Sequence, residues 1–175
     1  MVLKLQKYHE WMQDVTLREA TASEPLTLEE EYEMQQLTFI ILARQHHSAS
    51  RSGEERESRM IGDVNMFLAD GFEGDAECEI MIADPIDRGK GYAGEAMRIF
   101  LSYITTRLNI RPSQLIARIG NTNQASIRLF QTLGFVIERV VDVFEQVDLR
   151  CSRFSVDEWD VILAEREYDS SSLKQ

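Results

Sequence analysis

Residues Ile80 to Gly94, IMIADPIDRGKGYAG, constrain the fold more than any other stretch of the chain. An apolar, strand-like run breaks at Asp84-Pro85, passes through a basic glycine-rich turn, and continues at once into a long amphipathic segment. A strand feeding a turn that opens a helix leaves the first N–H groups of that helix without an intrahelical partner. The helix dipole adds positive potential at the same point. Gly89, Gly91 and Gly94 let the backbone approach a bulky anion, because no Cβ stands in the way. Arg88 and Lys90 add charge. The stretch predicts a diphosphate cradle.

Two cofactor readings fit such a cradle. Gly89-Lys90-Gly91-Tyr92-Ala93-Gly94 matches G-x-G-x-x-G, the dinucleotide fingerprint. That fingerprint also requires an acidic residue about 20 positions on, at the end of a second strand, to hold a ribose. The corresponding region, Arg111 to Ile119, contains Arg118 but no Asp or Glu. A P-loop is excluded, since no Gly-Lys-Ser/Thr follows at the required spacing.

The second reading takes Arg88-Gly89-Lys90-Gly91-Tyr92-Ala93 as R-x-x-G-x-A. This resembles the acetyl-coenzyme A signature of the GNAT superfamily of N-acetyltransferases. A later stretch, Asn123-x-x-Ser126-x-x-x-Phe130-x-x-x-Gly134-Phe135, is similar to the superfamily's second motif, an Asn before a helix that ends in Gly-Phe. The resemblance spans roughly Arg59 to Arg150. Within the superfamily, TASEPLTLEEEY, GDVNMFL and EIMIADP together resemble the eukaryotic N-acetyltransferase-nine group, described as acetylating tubulin amino termini.

The resemblance implies an α/β (α+β) GNAT fold: a mixed central sheet of about six to seven strands flanked by helices, with the first strand short or missing. It implies acetyl-CoA as co-substrate, no metal, and a protein or peptide amine as acceptor, with tubulin a candidate. In such a site the backbone of Met81, Ile82 and Ala83 pairs with the pantetheine arm. Arg88, Gly89, Lys90, Gly91, Tyr92, Ala93 and Gly94 hold the diphosphate, and Asn123 and Phe130 lie against the cofactor arm.

At 175 residues the chain suits one domain with a sizeable core, so residues 1–175 are expected to form a single N-acetyltransferase domain with a frayed tail from about residue 165. No apolar run approaches membrane-span length, and the first residues do not read as a signal peptide. Net charge is −11, which argues against nucleic-acid and anionic-membrane surfaces and mildly favours a cationic acceptor such as a protonated amine. Solubility alone explains that charge equally well. Cys78 and Cys151 lack metal-like spacing and read as buried structural thiols, which suits a reducing, cytoplasmic setting.

Met1 to Leu5 can supply at most a scrap of strand, and a helix is expected over Lys7 to Asp14. Thr27-Leu28-Glu29-Glu30 is a capping box that opens a helix through about Gln36. Strands are expected over Leu37–Ala43, Met60–Ala69, Ala76–Ala83, Gln114–Ile119, Ile137–Val141 and Val143–Leu149. Helices are expected over Tyr92–Leu108, Thr122–Leu133 and Val156–Ala164. Gln45 to Arg59, with adjacent His46 and His47, reads as a polar loop rather than a metal site.

Side chains alternate along Ala76–Ala83, so Glu77, Glu79 and Met81 share one face while Cys78, Ile80 and Ile82 share the other. Two acids on an otherwise apolar strand are costly in a core but suit a cleft. An acceptor amine arrives as ammonium and must lose a proton before its lone pair can attack a thioester. Glu79 or Glu77 is the candidate base, with Glu79 favoured because it is nearer the thioester-binding residues. A solvent-exposed face, or pairing with an Arg on the next strand, is the competing account. Two departures from the family pattern bear on mechanism. Phe130 stands where a Tyr often protonates the leaving thiolate, and a phenyl ring has no proton to give. Arg118 stands where some relatives carry a Glu. Phe130 also leaves open a non-catalytic domain that binds CoA and protein partners.

Overall fold

A computed structural model describes residues 11, 13–15, 37–44 and 58–153. Six strands lie within them: β1 (Thr38–Arg44), β2 (Ser58–Phe67), β3 (Ala76–Ile82), β4 (Leu115–Gly120), β5 (Phe135–Val141) and β6 (Gln146–Cys151). They form one mixed sheet in the order β1-β2-β3-β4-β6-β5. β1, β2 and β3 are an antiparallel meander, β3 and β4 are parallel, and β4, β6 and β5 are again antiparallel. The parallel step needs a crossover, and α1 (Tyr92–Arg107) provides it. α2 (Gln124–Thr132) joins β4 to β5.

Apolar periodicity explains the packing. Met97, Phe100, Leu101 and Ile104 recur at helical spacing on α1 and are buried against Val64, Met66, Cys78, Leu115 and Ala117 of the sheet. α2 adds Ile127 and Phe130, and Phe130 meets Phe135 edge to face at 5.0 Å. Each such aliphatic or aromatic side chain contributes about 1.5–3 kcal/mol by leaving water. Both thiols are free and buried.

α2 starts at Asn123, whose Oδ1 accepts the Ser126 N–H at 3.2 Å. It ends at Gly134, at φ +90°. A Cβ there would run into the Arg153 carbonyl oxygen, so the residue has to be Gly. The Gly134 carbonyl accepts the N–H groups of Ser152 and Arg153, fastening the end of α2 to the end of β6.

Element boundaries differ from expectation at one place that matters. β5 begins directly at Phe135, because the Gly134 turn reverses the chain in one step, rather than at Ile137. β6 begins at Gln146 instead of Val143. Asp142–Phe144 form a 3-10 turn, and Glu145 at φ +49° completes the reversal before pairing resumes. The sheet has six strands among the described residues, within the six to seven expected. The strand scrap at Met1–Leu5, the helix at Thr27–Gln36, His46 and His47, the helix at Val156–Ala164 and the tail lie outside the described residues. Of the Lys7–Asp14 helix only Trp11, Gln13 and Asp14 are described, and Trp11 packs against Met81 and Ala83.

Candidate active site

The sheet opens in its middle. β3 and β4 pair only at Ala76–Leu115 and Glu77–Ile116, and then part. A cleft of about 320 Å³, counting its open mouth, lies beyond the split. Cys78, Glu79 and Ile80 line it from β3, Arg118 and Ile119 from β4, and Asn123, Ser126 and Phe130 from the α2 side.

The far edge of β3 is committed to β2, where the Ala83 N–H donates to the Ile61 carbonyl at 3.0 Å. Antiparallel pairs alternate between bonded and non-bonded, so Ile80 and Ile82 turn their own N–H and C=O groups toward the cleft. Of the three residues expected to present backbone to a pantetheine arm, Ala83 therefore has its N–H occupied, and Met81, opposite Asp63, likewise turns its backbone groups to β2. Ile82, together with Ile80, faces the split.

The glycine-rich turn is built by side chains on its inner side. Asp84 Oδ1 accepts the Ile86 N–H at 3.0 Å and opens the 3-10 turn Pro85–Asp87. Arg88 donates Nε to the Ile82 carbonyl and Nη2 to the Ala83 carbonyl, each at 3.0 Å. Expected to add charge to the cradle, Arg88 instead braces the turn against the end of β3. Asp87, 2% exposed, receives Arg59 from β2 at 2.6 and 2.7 Å and stands 3.7 Å from Lys90 Nζ. Gly89 and Gly91 have φ of +72° and +87°, a region that side chains with a Cβ rarely enter. No side chain caps Gly91, so the first N–H groups of α1 are left for an external acceptor.

The two acids differ. Glu77 is ion-paired with Arg118 across the β3–β4 step, the alternative that the sequence allowed for both. Burial pushes its carboxyl up, and Arg118 pulls it back down. The Glu79 carboxyl makes no hydrogen bond among the described residues. Burial, then the charges of Glu77 and Asp63, push its carboxyl up to about 8. A cleft-lining carboxyl that titrates there can take a proton from an ammonium group near neutral pH. Phe130, 2% exposed, is a wall of the cleft and offers no proton.

Sequence reasoning missed four residues here. Arg59 and Asp87 lock the turn from 28 positions apart, a contact that only the folded sheet creates. Asp63 and Asn65 alternate with Val64 and Met66 on β2, and that alternation would have found them. Asp63 is 1% exposed, and burial pushes its carboxyl up to about 7 against the opposing bond from Asn65.

Comparison with known proteins agrees with this architecture. A family model described as an acetyltransferase (GNAT) domain matches residues 3–136. The Drosophila melanogaster protein named alpha/beta-tubulin-N-acetyltransferase 9 is 43% identical over 154 residues, covering 82% of this chain and 76% of the relative. The Homo sapiens protein of that name is 44% identical over 153 residues, covering 82% and 72%. Among solved structures, the spermidine N-acetyltransferase of Vibrio cholerae in complex with CoA and spermine superposes with a TM-score of 0.63. Its identity is 21%, over 83% of this chain and 86% of that one, which is a likeness of fold.

Proposed function

The chain belongs to the GNAT acetyltransferase family and is an N-acetyltransferase, and from that premise we propose that it moves the acetyl group of acetyl-CoA onto a protein α-amine, with Glu79 as base. The uncapped N-terminus of α1 and the turn Gly89–Gly94 receive the diphosphate, with Lys90 adding charge and Arg59 and Asp87 holding the turn in shape. The amide groups of Ile80 and the N–H of Ile82, whose carbonyl already accepts Arg88 Nε, pair with the pantetheine arm as a strand edge pairs with a peptide. Asn123 and Phe130 form the opposite wall.

One observation carries the choice of base. Glu79 is the cleft-lining carboxyl without an ionic partner among the described residues, whereas Glu77 is held by Arg118. An α-amine acceptor also asks less of such a base than a lysine does. An unperturbed α-ammonium loses its proton at about 7.7–8.0 and a lysine at about 10.4, so more of an α-amine is already free near neutral pH.

Glu79 takes a proton from the acceptor ammonium, and the freed lone pair forms the new C–N bond at the thioester carbonyl. As the tetrahedral centre collapses, the C–S bond breaks and the thiolate leaves. With Phe130 in the wall, the second proton of the attacking nitrogen passes through solvent to the thiolate, and a thiolate needs less help in leaving than an alkoxide. The names of its relatives support tubulin as the acceptor, and its amino-terminal α-amine is the acceptor class proposed here.

Thermal denaturation tests the cofactor. Acetyl-CoA at 100 times its Kd should stabilise the folded protein by about 2.7 kcal/mol and raise Tm, while NADP at the same concentration should leave Tm unchanged. A rise with NADP and none with acetyl-CoA would return the cradle to the dinucleotide reading.

A further inference from the structure

We propose that Asp63 is a positioning residue for the transfer, a buried carboxyl that never meets the acceptor but acts through Glu79 to set how readily that residue gains and loses its proton. This rests on the reading of Glu79 as base.

The β2–β3 register places Asn65 opposite Glu79 and Asp63 opposite Met81, so all four side chains share the face of the sheet that carries Glu77. Diagonal neighbours across such a ladder are about 7–8 Å apart, close enough for two charges to be felt through a dry interior. Asp63 is 1% exposed, and Asn65 Nδ2 donates to its Oδ2 at 2.7 Å. Its Oδ1 has no hydrogen-bond partner among the described residues. A buried carboxyl with half its acceptor capacity unused destabilises the fold, so a place for it next to a cleft acid is better explained by that acid than by stability.

The other acids near Glu79 have cationic partners of their own, although Glu77 still adds to the rise of the Glu79 carboxyl. Glu77, two positions along β3, is paired with Arg118 of β4. Asp148 of β6 is held by Arg139 and Gln146. The α2 side contributes only Asn123, Ser126 and Phe130 to the cleft. Among the described residues Asp63 is therefore the acid beside Glu79 without a cationic partner. The Asp63 charge helps to hold the Glu79 proton to higher pH.

The test follows the full-length protein with carbon-13-labelled glutamate, the Glu79 resonance being assigned by its loss in Glu79→Gln. Asp63→Asn keeps the shape and removes the charge. The Glu79 midpoint should fall by about one pH unit. The acidic limb of kcat/KM for acetyl transfer should move down by the same amount, with acetyl-CoA affinity unchanged. Should Asp63→Asn not fold, Asp63→Ser removes the same charge with a smaller polar side chain, so the Glu79 midpoint should again fall. A midpoint that stays in place in the folded variant overturns the coupling. A midpoint that moves while the rate profile stays put overturns Glu79 as base, and the role of Asp63 with it.

Discussion

Gly91→Asp is expected to eliminate measurable acetyl-CoA binding in a protein that still folds. Gly91 is the N-cap of α1 at φ +87°, and the space around its missing Cβ is open. A non-glycine residue in that conformation costs roughly 1–2 kcal/mol, which a core of this size tolerates. The carboxylate lands on the N–H groups that the diphosphate would use, since Asp is a good cap for a helix N-terminus. Facing a phosphate at about 4 Å, it adds repulsion on the order of 4 kcal/mol, close to a thousandfold in Kd. Calorimetric titration reads the effect directly. Wild-type affinity in the folded variant would remove the cradle assignment.

Glu79→Gln should lower the rate of acetyl transfer at neutral pH by about 10²- to 10⁴-fold, the usual contribution of a general base, while acetyl-CoA affinity barely changes. The sign with pH follows from the direction of the shift. Burial and its acidic neighbours raise the Glu79 carboxyl to about 8, so wild-type activity should climb as pH rises through that value and the carboxylate forms. The deficit of the variant should shrink over the same range, because free α-amine then exists without help. Glu77→Gln should cost less, since Glu77 already answers to Arg118. Stopped-time assays across pH distinguish the two. Full turnover at every pH in both variants and in their double would assign these acids to structure and deprotonation to solvent.

How much of this was legible in the sequence depends on whether the cause was local. The β3–turn–α1 unit was readable because Asp84-Pro85 and the glycines punctuate it within a dozen residues. Asn123 and Gly134 mark the two ends of α2 for the same reason, one capping and one terminating. The shared face of Glu77 and Glu79 followed from strand alternation alone. What separates those acids was not readable, because Arg118 reaches Glu77 from 41 positions away and only where β3 and β4 still touch. The parting of those strands two residues later makes the cleft, and no local propensity encodes it. The bracing contacts of Arg88 were hidden by the same limit: the carbonyls of Ile82 and Ala83 come within its reach only in the folded turn.

The central claim is that this cleft performs amine acetylation rather than CoA binding alone, and one assay addresses it most directly. The wild-type protein is incubated with acetyl-CoA and a panel of amino-terminal peptides, including tubulin amino termini, alongside lysine peptides and polyamines, and products are read by mass spectrometry. The account predicts a gain of one acetyl group on the α-amine of the amino-terminal peptides, with tubulin termini among the substrates and internal lysines unmodified. Tight acetyl-CoA binding without transfer to any amine in the panel would contradict it and leave a CoA-binding module in its place.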